Sequence, residues 1–245
     1  MKIKNSAAAI AMALMIGNAQ ATLFDRGGGL IYDNTLNITW LQDANYAQTS
    51  GYDTDGKMDW IAAKTWAADL KHGGYDDWRL AANTPVGTYW NMEHSFAGST
   101  DVGYNITSPH SEMSHMYYVN LGLKGYYSHG GYYNKNSDFG VFRNGTTGGQ
   151  TNVGLVKNLQ SGYYWSGTLF AGNSLTEAWY FNTALGEQYE HYQNFGFYAW
   201  AVRDGDVAAP IPEPETYALM LAGLGIMGGI AQRRKKTSKM KTLPA

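Results

Sequence analysis

The chain has 245 residues, 44% of them hydrophobic, no cysteine, and a formal net charge of −2. The lack of cysteine excludes disulfide stapling, thiol nucleophiles and cysteine-based zinc or iron–sulfur sites. The charge is unevenly spread: between Thr22 and Ile211, 10 Lys and Arg stand against 18 Asp and Glu, a net of −8, which argues against nucleic acid as a partner and favours neutral glycans, divalent cations or basic proteins.

The N-terminus reads Met1-Lys2-Ile3-Lys4, then an apolar run over residues 7–16, then Ala19-Gln20-Ala21. A charged start, a short apolar middle and an Ala-x-Ala site predict a secretory signal peptide over residues 1–21. The body of the chain is then residues 22–206, followed by a linker over 207–211.

Leu30–Tyr32 and Ile38–Leu41 read as short strands around an Asp33-Asn34-Thr35 turn, with Trp40 a core anchor. Residues 42–48 read as a short helical turn. Asp53, Asp55 and Asp59 then fall in a Gly-containing loop. Closely spaced carboxylates in such a loop suit Ca²⁺; the alternative is a solvated turn with Asp59 capping the helix that follows. That helix is predicted over residues 60–71, with Trp60, Ala62, Ala63, Trp66, Ala67 and Leu70 on one face and Gly73 as its C-terminal stop.

A turn and a strand follow in Gly73-Gly74-Tyr75-Asp76-Asp77-Trp78-Arg79-Leu80. Arg79 is expected to pair with a carboxylate or carbonyls of the fold. Asp76 and Asp77 point to opposite faces of a strand and make a poor acid–base pair. Residues 87–160 are rich in Gly, Asn, Ser and Tyr, and a structureless run of that length is improbable, so short strands and turns are expected. Tyr117, Tyr126, Tyr127, Tyr132 and Tyr133 form a pool from which a sugar-stacking surface could draw. His110, Glu112 and His115 lack the spacing of a zinc helix and read as a polar loop. Ser166 has Tyr164 where a nucleophile elbow needs Gly, so it reads as structural.

The run from Gly74 to Leu80, placed after a Trp-bearing helix, resembles the domain family typified by the C-terminal domain of the collagen-like adhesin Lcl. Gly28–Asp33, Thr39-Trp40-Leu41, Tyr164-Trp165-Ser166-Gly167-Thr168, Ala178-Trp179 with Gly186, and Ala199-Trp200-Ala201-Val202-Arg203 match further pieces in order. The family continues Arg-Leu-Pro, whereas Ala81 follows Leu80 here. The resemblance implies a compact α+β, C-type-lectin-like fold, akin to formylglycine-generating enzymes, with short strands and one main Trp-bearing helix. Oxidase chemistry of that type requires cysteines and is excluded.

The tail reads Pro212-Glu213-Pro214, an apolar segment over 216–231, then Arg233-Arg234-Lys235-Lys236 and residues 237–245. As a helix the apolar segment spans about 24 Å, short of the roughly 30 Å hydrocarbon core, and the basic cluster belongs on the cytoplasmic side. Motif, apolar segment and basic end over 212–236 resemble the PEP-CTERM sorting signal of Gram-negative bacteria. The resemblance implies export across the inner membrane, transient insertion through 216–231, and processing by an exosortase after the secretion machinery has acted. The alternative is an ordinary single-pass anchor. The expected product is a non-enzymatic surface or exopolysaccharide-matrix protein, in the setting of a biofilm, that binds polysaccharide or another envelope component. The alternatives are an adhesion protein acting through protein contacts and self-association, and a hydrolase with an unrecognised site.

Overall fold

A computed structural model describes residues 23–134, 139–141 and 152–207. The chain divides into two compact units, Met1–Asp206 and Val207–Ala245, and all the elements below belong to the first. The fold is α+β and mostly β: two sheets and a few short helices.

Strands β1 (Leu23–Gly27), β2 (Leu30–Asp33) and β3 (Ile38–Leu41) form an antiparallel meander. The β1–β2 turn needs Gly27, Gly28 and Gly29, all with φ between 60 and 82°, a left-handed run that residues with a Cβ resist. The β2–β3 turn is the one expected at Asp33. The carboxylate of this buried residue accepts from the backbone N–H of Thr35 and Leu36 at 2.9 and 3.1 Å, an Asx-type turn.

Strand β12 (Ala201–Asp204) returns from the far end of the domain and lies antiparallel between β3 and β5 (Arg79–Leu80), giving the order β1-β2-β3-β12-β5. The second sheet is larger. Its centre is the antiparallel series β8 (Tyr163–Leu169), β9 (Glu177–Asn182) and β10 (Glu187–Tyr192). Beyond β8 lie β11 (Phe197–Tyr198) and β4 (Lys57–Met58). Beyond β10 lie β7 (Val102–Tyr104) and β6 (His94–Ser95). The β8–β11 and β6–β7 pairs are parallel.

Indole rings dominate the interior. Trp40, Trp165, Trp179 and Trp200 are each buried to 1–2% exposure or less, and Trp40 meets Trp200 at 4.6 Å between ring centroids. Burying an indole of about 200 Å² contributes roughly 5 kcal/mol by area, an upper bound. Several ring nitrogens find acceptors: Trp200 Nε1 donates to Leu41 O at 2.7 Å, Trp165 Nε1 to Met58 O at 2.9 Å, and Trp60 Nε1 to Ser166 O at 2.8 Å, whereas Nε1 of Trp40 and of Trp179 is buried without one. These bonds make Trp200, Trp165 and Trp60 braces between elements.

Helix α1 (Tyr46–Thr49) is a single turn. Helix α2 (Trp60–Asp69) starts where expected: Asp59 accepts from Ala62 N at 2.8 Å. Trp60, Ala63, Trp66 and Ala67 are its buried residues. The helix ends two residues before the expected Lys71. Leu70 is extended at φ −66°, ψ 131°, because His72 and Tyr75 exchange a pair of backbone hydrogen bonds at 3.0 Å around left-handed Gly73 and Gly74. Gly73 therefore serves a tight turn rather than the helix end. His72 anchors that turn through contacts with Gly28 O at 3.0 Å and Tyr46 Oη at 3.2 Å. Helix α3 (Glu112–His115) runs on into a π-helical turn, Met116–Asn120. Among the described residues no helix is long and apolar enough to cross a membrane; the apolar segment 216–231 lies outside them.

Candidate functional site

Four tyrosines of the pool lie in a hairpin over residues 126–134. Asn134 N donates to Tyr126 O at 3.0 Å, Ser128 N to Tyr132 O at 2.9 Å, and Gly131 N to Ser128 O at 2.9 Å. Tyr126 N donates to Leu185 O at 2.7 Å, which ties the hairpin to the β9–β10 turn. Tyr127 and Tyr133 are bridge partners and so share a face. Their rings stack at 5.1 Å and 27°. Tyr126 meets Tyr127, Tyr133 and Phe139 edge-on at 4.9, 5.1 and 4.9 Å. At the tip Tyr132 is 77% exposed, and Tyr133 beside it 54%.

Residues on and just beyond β6 and β7 support this hairpin. Phe96 contacts Tyr127 at 4.8 Å and Tyr104 at 6.0 Å, and Tyr104 meets Tyr127 at 5.0 Å. Asn105, held at φ 59°, donates through Nδ2 to both Phe96 O and Tyr127 O, at 2.7 and 2.9 Å. Beneath lies Glu187. Burial pushes its carboxyl up, partly offset by the Tyr104 hydroxyl and His94, whose Nε2 is 3.7 Å from Glu187 Oε1. The Tyr104 phenol is pushed well above its ordinary range, first by burial and then by the Glu187 charge. Tyr127 is raised chiefly by its hydrogen bond with Tyr133. Phe96, Tyr104, His94 and Glu187 were not foreseen; no periodicity links them, and the parallel β6–β7 and antiparallel β10–β7 pairings bring them together.

One member of the pool requires correction. Tyr117 is 2% exposed. The π-helical turn lays its ring on Phe181 at 5.1 Å and against Tyr118 at 4.8 Å, and its hydroxyl donates to Lys124 O at 2.8 Å. It is core, and Tyr126, Tyr127, Tyr132 and Tyr133 are the members of the pool that lie in the hairpin.

The three loop aspartates each serve their own backbone. Asp53 Oδ1 accepts from Asp55 N at 3.0 Å and Gly56 N at 2.8 Å, and Asp55 Oδ1 from Lys57 N at 3.0 Å, while Asp59 caps α2. Burial would raise the Asp53 carboxyl, but the backbone donors outweigh it and hold it below the ordinary carboxylate range. Among the described residues no group of three or more His, Asp or Glu is placed to hold a metal ion, so the structure does not gather these three into a Ca²⁺ ligand set. The residues 110–115 are likewise engaged. His110 Nδ1 contacts Thr84 Oγ1 at 2.8 Å, His115 Nδ1 contacts Thr107 O at 2.9 Å, and Glu112 takes Arg79 in a bidentate pair at 2.7 and 2.8 Å. Ser166 is 2% exposed on β8 and its Oγ accepts from Thr168 N.

The remaining expected site residues, Pro212, Glu213, Pro214, Arg233, Arg234, Lys235 and Lys236, lie outside the described residues. Residues 210–235 match the PEP-CTERM protein-sorting motif. The chain thus carries a sorting motif of the kind that implies export to the cell surface with an exosortase as processing partner. No curated protein and no solved structure matches the chain.

Proposed function

We propose that the exported domain is a non-catalytic surface or matrix protein, C-type-lectin-like in the sense of its sequence motifs, that binds a neutral polysaccharide through the tyrosine hairpin. The observation that carries this reading is the contrast within the hairpin. Tyr132 and Tyr133 are 77% and 54% exposed, yet Tyr133 is braced by Tyr126 and Tyr127 at 5.1 Å. Rigid aromatic faces with polar edges bind sugar rings at little cost in conformational entropy. The net charge of −8 over residues 22–211 favours a neutral polymer over an anionic one. The experiment is a glycan array that includes the producer's own polysaccharide, repeated with Tyr132→Ala/Tyr133→Ala. Binding that falls at least tenfold in the variant supports the reading; no binding to any polysaccharide refutes it.

A second reading, adhesion through protein contacts, is favoured by an open cleft of about 420 Å³ whose lining includes Leu175, Tyr192 and Phe195, exposed by 90, 54 and 48%. Self-association abolished by Leu175→Asp in sedimentation velocity would support it.

A further inference from the structure

We propose that a cleft on the β8–β11 side of the larger sheet is a separate subsite for a neutral hexopyranose ring, which rests on the glycan-binding reading above and adds a site to it. The cleft has a volume of about 330 Å³ and is lined by Lys57, Ser161, Tyr163, Phe197 and Tyr198 together with two glycines. That volume is at the small end of the range for ligand pockets, about 300–1,000 Å³, so a single ring fits it better than a folded peptide segment.

Its wall is an aromatic ring already fixed in place. Tyr163 stacks on Phe197 at 4.9 Å and 25° and meets Tyr180 at 5.1 Å and 85°, yet it remains 43% exposed. A ring so held loses little rotamer freedom when a ligand lies against it. The rim is polar. Lys57 Nζ sits 5.2 Å from the centroid of the Tyr198 ring, and among the described residues no carboxylate pairs with it. Lys57 and Ser161 line the cleft, and their donor groups call for a ligand that offers acceptors. A wholly apolar occupant would strand these groups away from water. A pyranose meets both demands, with C–H groups on one face and hydroxyls around the edge. An anionic polymer is disfavoured by the net charge of −8 over residues 22–211.

The cleft is distinct from the hairpin. Tyr163 pairs across to Asn182, Asn182 to Glu187, and Glu187 to Tyr104, which is three inter-strand steps or about 14 Å. Substitutions at the two places should therefore act independently.

The test uses the full chain purified in detergent, titrated calorimetrically with cellotetraose, maltotetraose, mannotetraose and tetragalacturonate. The expected result is binding of at least one neutral tetrasaccharide, weakened about tenfold by Tyr163→Leu and by Lys57→Met but unchanged by Tyr89→Ala, an 81% exposed residue outside both the cleft and the hairpin; the hairpin variant Tyr132→Ala/Tyr133→Ala is titrated beside them. A melting curve accompanies each variant; if Tyr163→Leu does not fold, Lys57→Met decides. Tighter binding of tetragalacturonate overturns the neutral class. Absence of tetrasaccharide binding, or loss only in the hairpin variant, overturns the cleft, while the hairpin reading is still judged by the polysaccharide array.

Discussion

Arg79→Met is the most informative single perturbation of this fold. The Arg79 guanidinium joins three elements: it forks onto Glu112 of α3 at 2.7 and 2.8 Å, reaches Asp204 of β12 at 2.6 Å, and lies on β5 with Nη1 on Leu80 O at 3.1 Å. Glu112 in turn accepts from Ala82 N at 2.7 Å. Burial by itself would lower the guanidinium pKa; Glu112 and then Asp204 more than reverse that. The Arg79 and Glu112 side chains are 34% and 14% exposed, whereas Asp204 is 79% exposed. A fully exposed pair contributes about 0–1 kcal/mol, and removing one partner of a buried pair costs about 3–5 kcal/mol. The Arg79–Glu112 pair lies between these limits, and the variant leaves Glu112 ionised with one backbone donor, so a loss of about 2–3 kcal/mol is expected. For a domain of this size that lowers Tm by roughly 5–10 °C. Urea unfolding followed by tryptophan fluorescence measures it. Two controls give the reasoning its edge. Asp204→Asn should cost under about 0.5 kcal/mol because its carboxylate is solvated. Arg79→Met/Glu112→Met should recover at least about 1 kcal/mol relative to Arg79→Met, since the only carboxylate left without Arg79 is the solvated Asp204. A cost below about 1 kcal/mol for Arg79→Met, or an equal cost for Asp204→Asn, would refute the clamp.

Burial, then the Glu177 and Glu187 charges, lift the Glu190 carboxyl from its ordinary 4.5 to about 6. A raised carboxyl makes the folded state bind more protons than the unfolded state between those values, so stability falls as pH rises through that window. Discounted for partial solvation, the penalty is about 1 kcal/mol above pH 6: Glu190→Gln should be that much more stable than the parent at pH 7.5 and equal to it near pH 4, read from melting curves. Asp59→Ala removes the α2 N-cap and should cost about 1 kcal/mol in urea unfolding; a cost under about 0.3 kcal/mol would show that the cap bond is not formed. Gly103 lies in β7 at φ 116°, where a Cβ would stand 2.1 Å from Ser95 O. Gly103→Ala should therefore separate β6 from β7 and cost about 3 kcal/mol or more, with faster hydrogen exchange at Ser95 and Gly103 as the local readout.

Much of the first sheet was legible because its signals are local. Asp33 marks its own turn through bonds to Thr35 and Leu36, and Asp59 marks the start of α2 through one bond three residues on. The ion-pair role of Arg79 was also foreseeable, since a guanidinium amid Asp and Trp needs a carboxylate; which carboxylate was not, because Glu112 is 33 residues away in sequence. The same limit explains the candidate site. Tyr117 and Tyr132 look alike in sequence, but a π-helical turn buries the first and a hairpin tip exposes the second. The loop aspartates resemble a cation site by spacing, while their geometry spends each one on a neighbouring N–H.

The sequence by itself determined the sorting motif at 210–235, the acidic and cysteine-free character of the domain, and the short strands and capped helix at its start. These depend on composition or on contacts a few residues apart. Only the tertiary structure decided which tyrosines face solvent, which carboxylate holds Arg79, and that Tyr163, Phe197 and Lys57 line one cleft. Those outcomes depend on strand register and on pairing between distant segments such as β4, β8 and β11, where a shift of one residue turns every side chain to the opposite face.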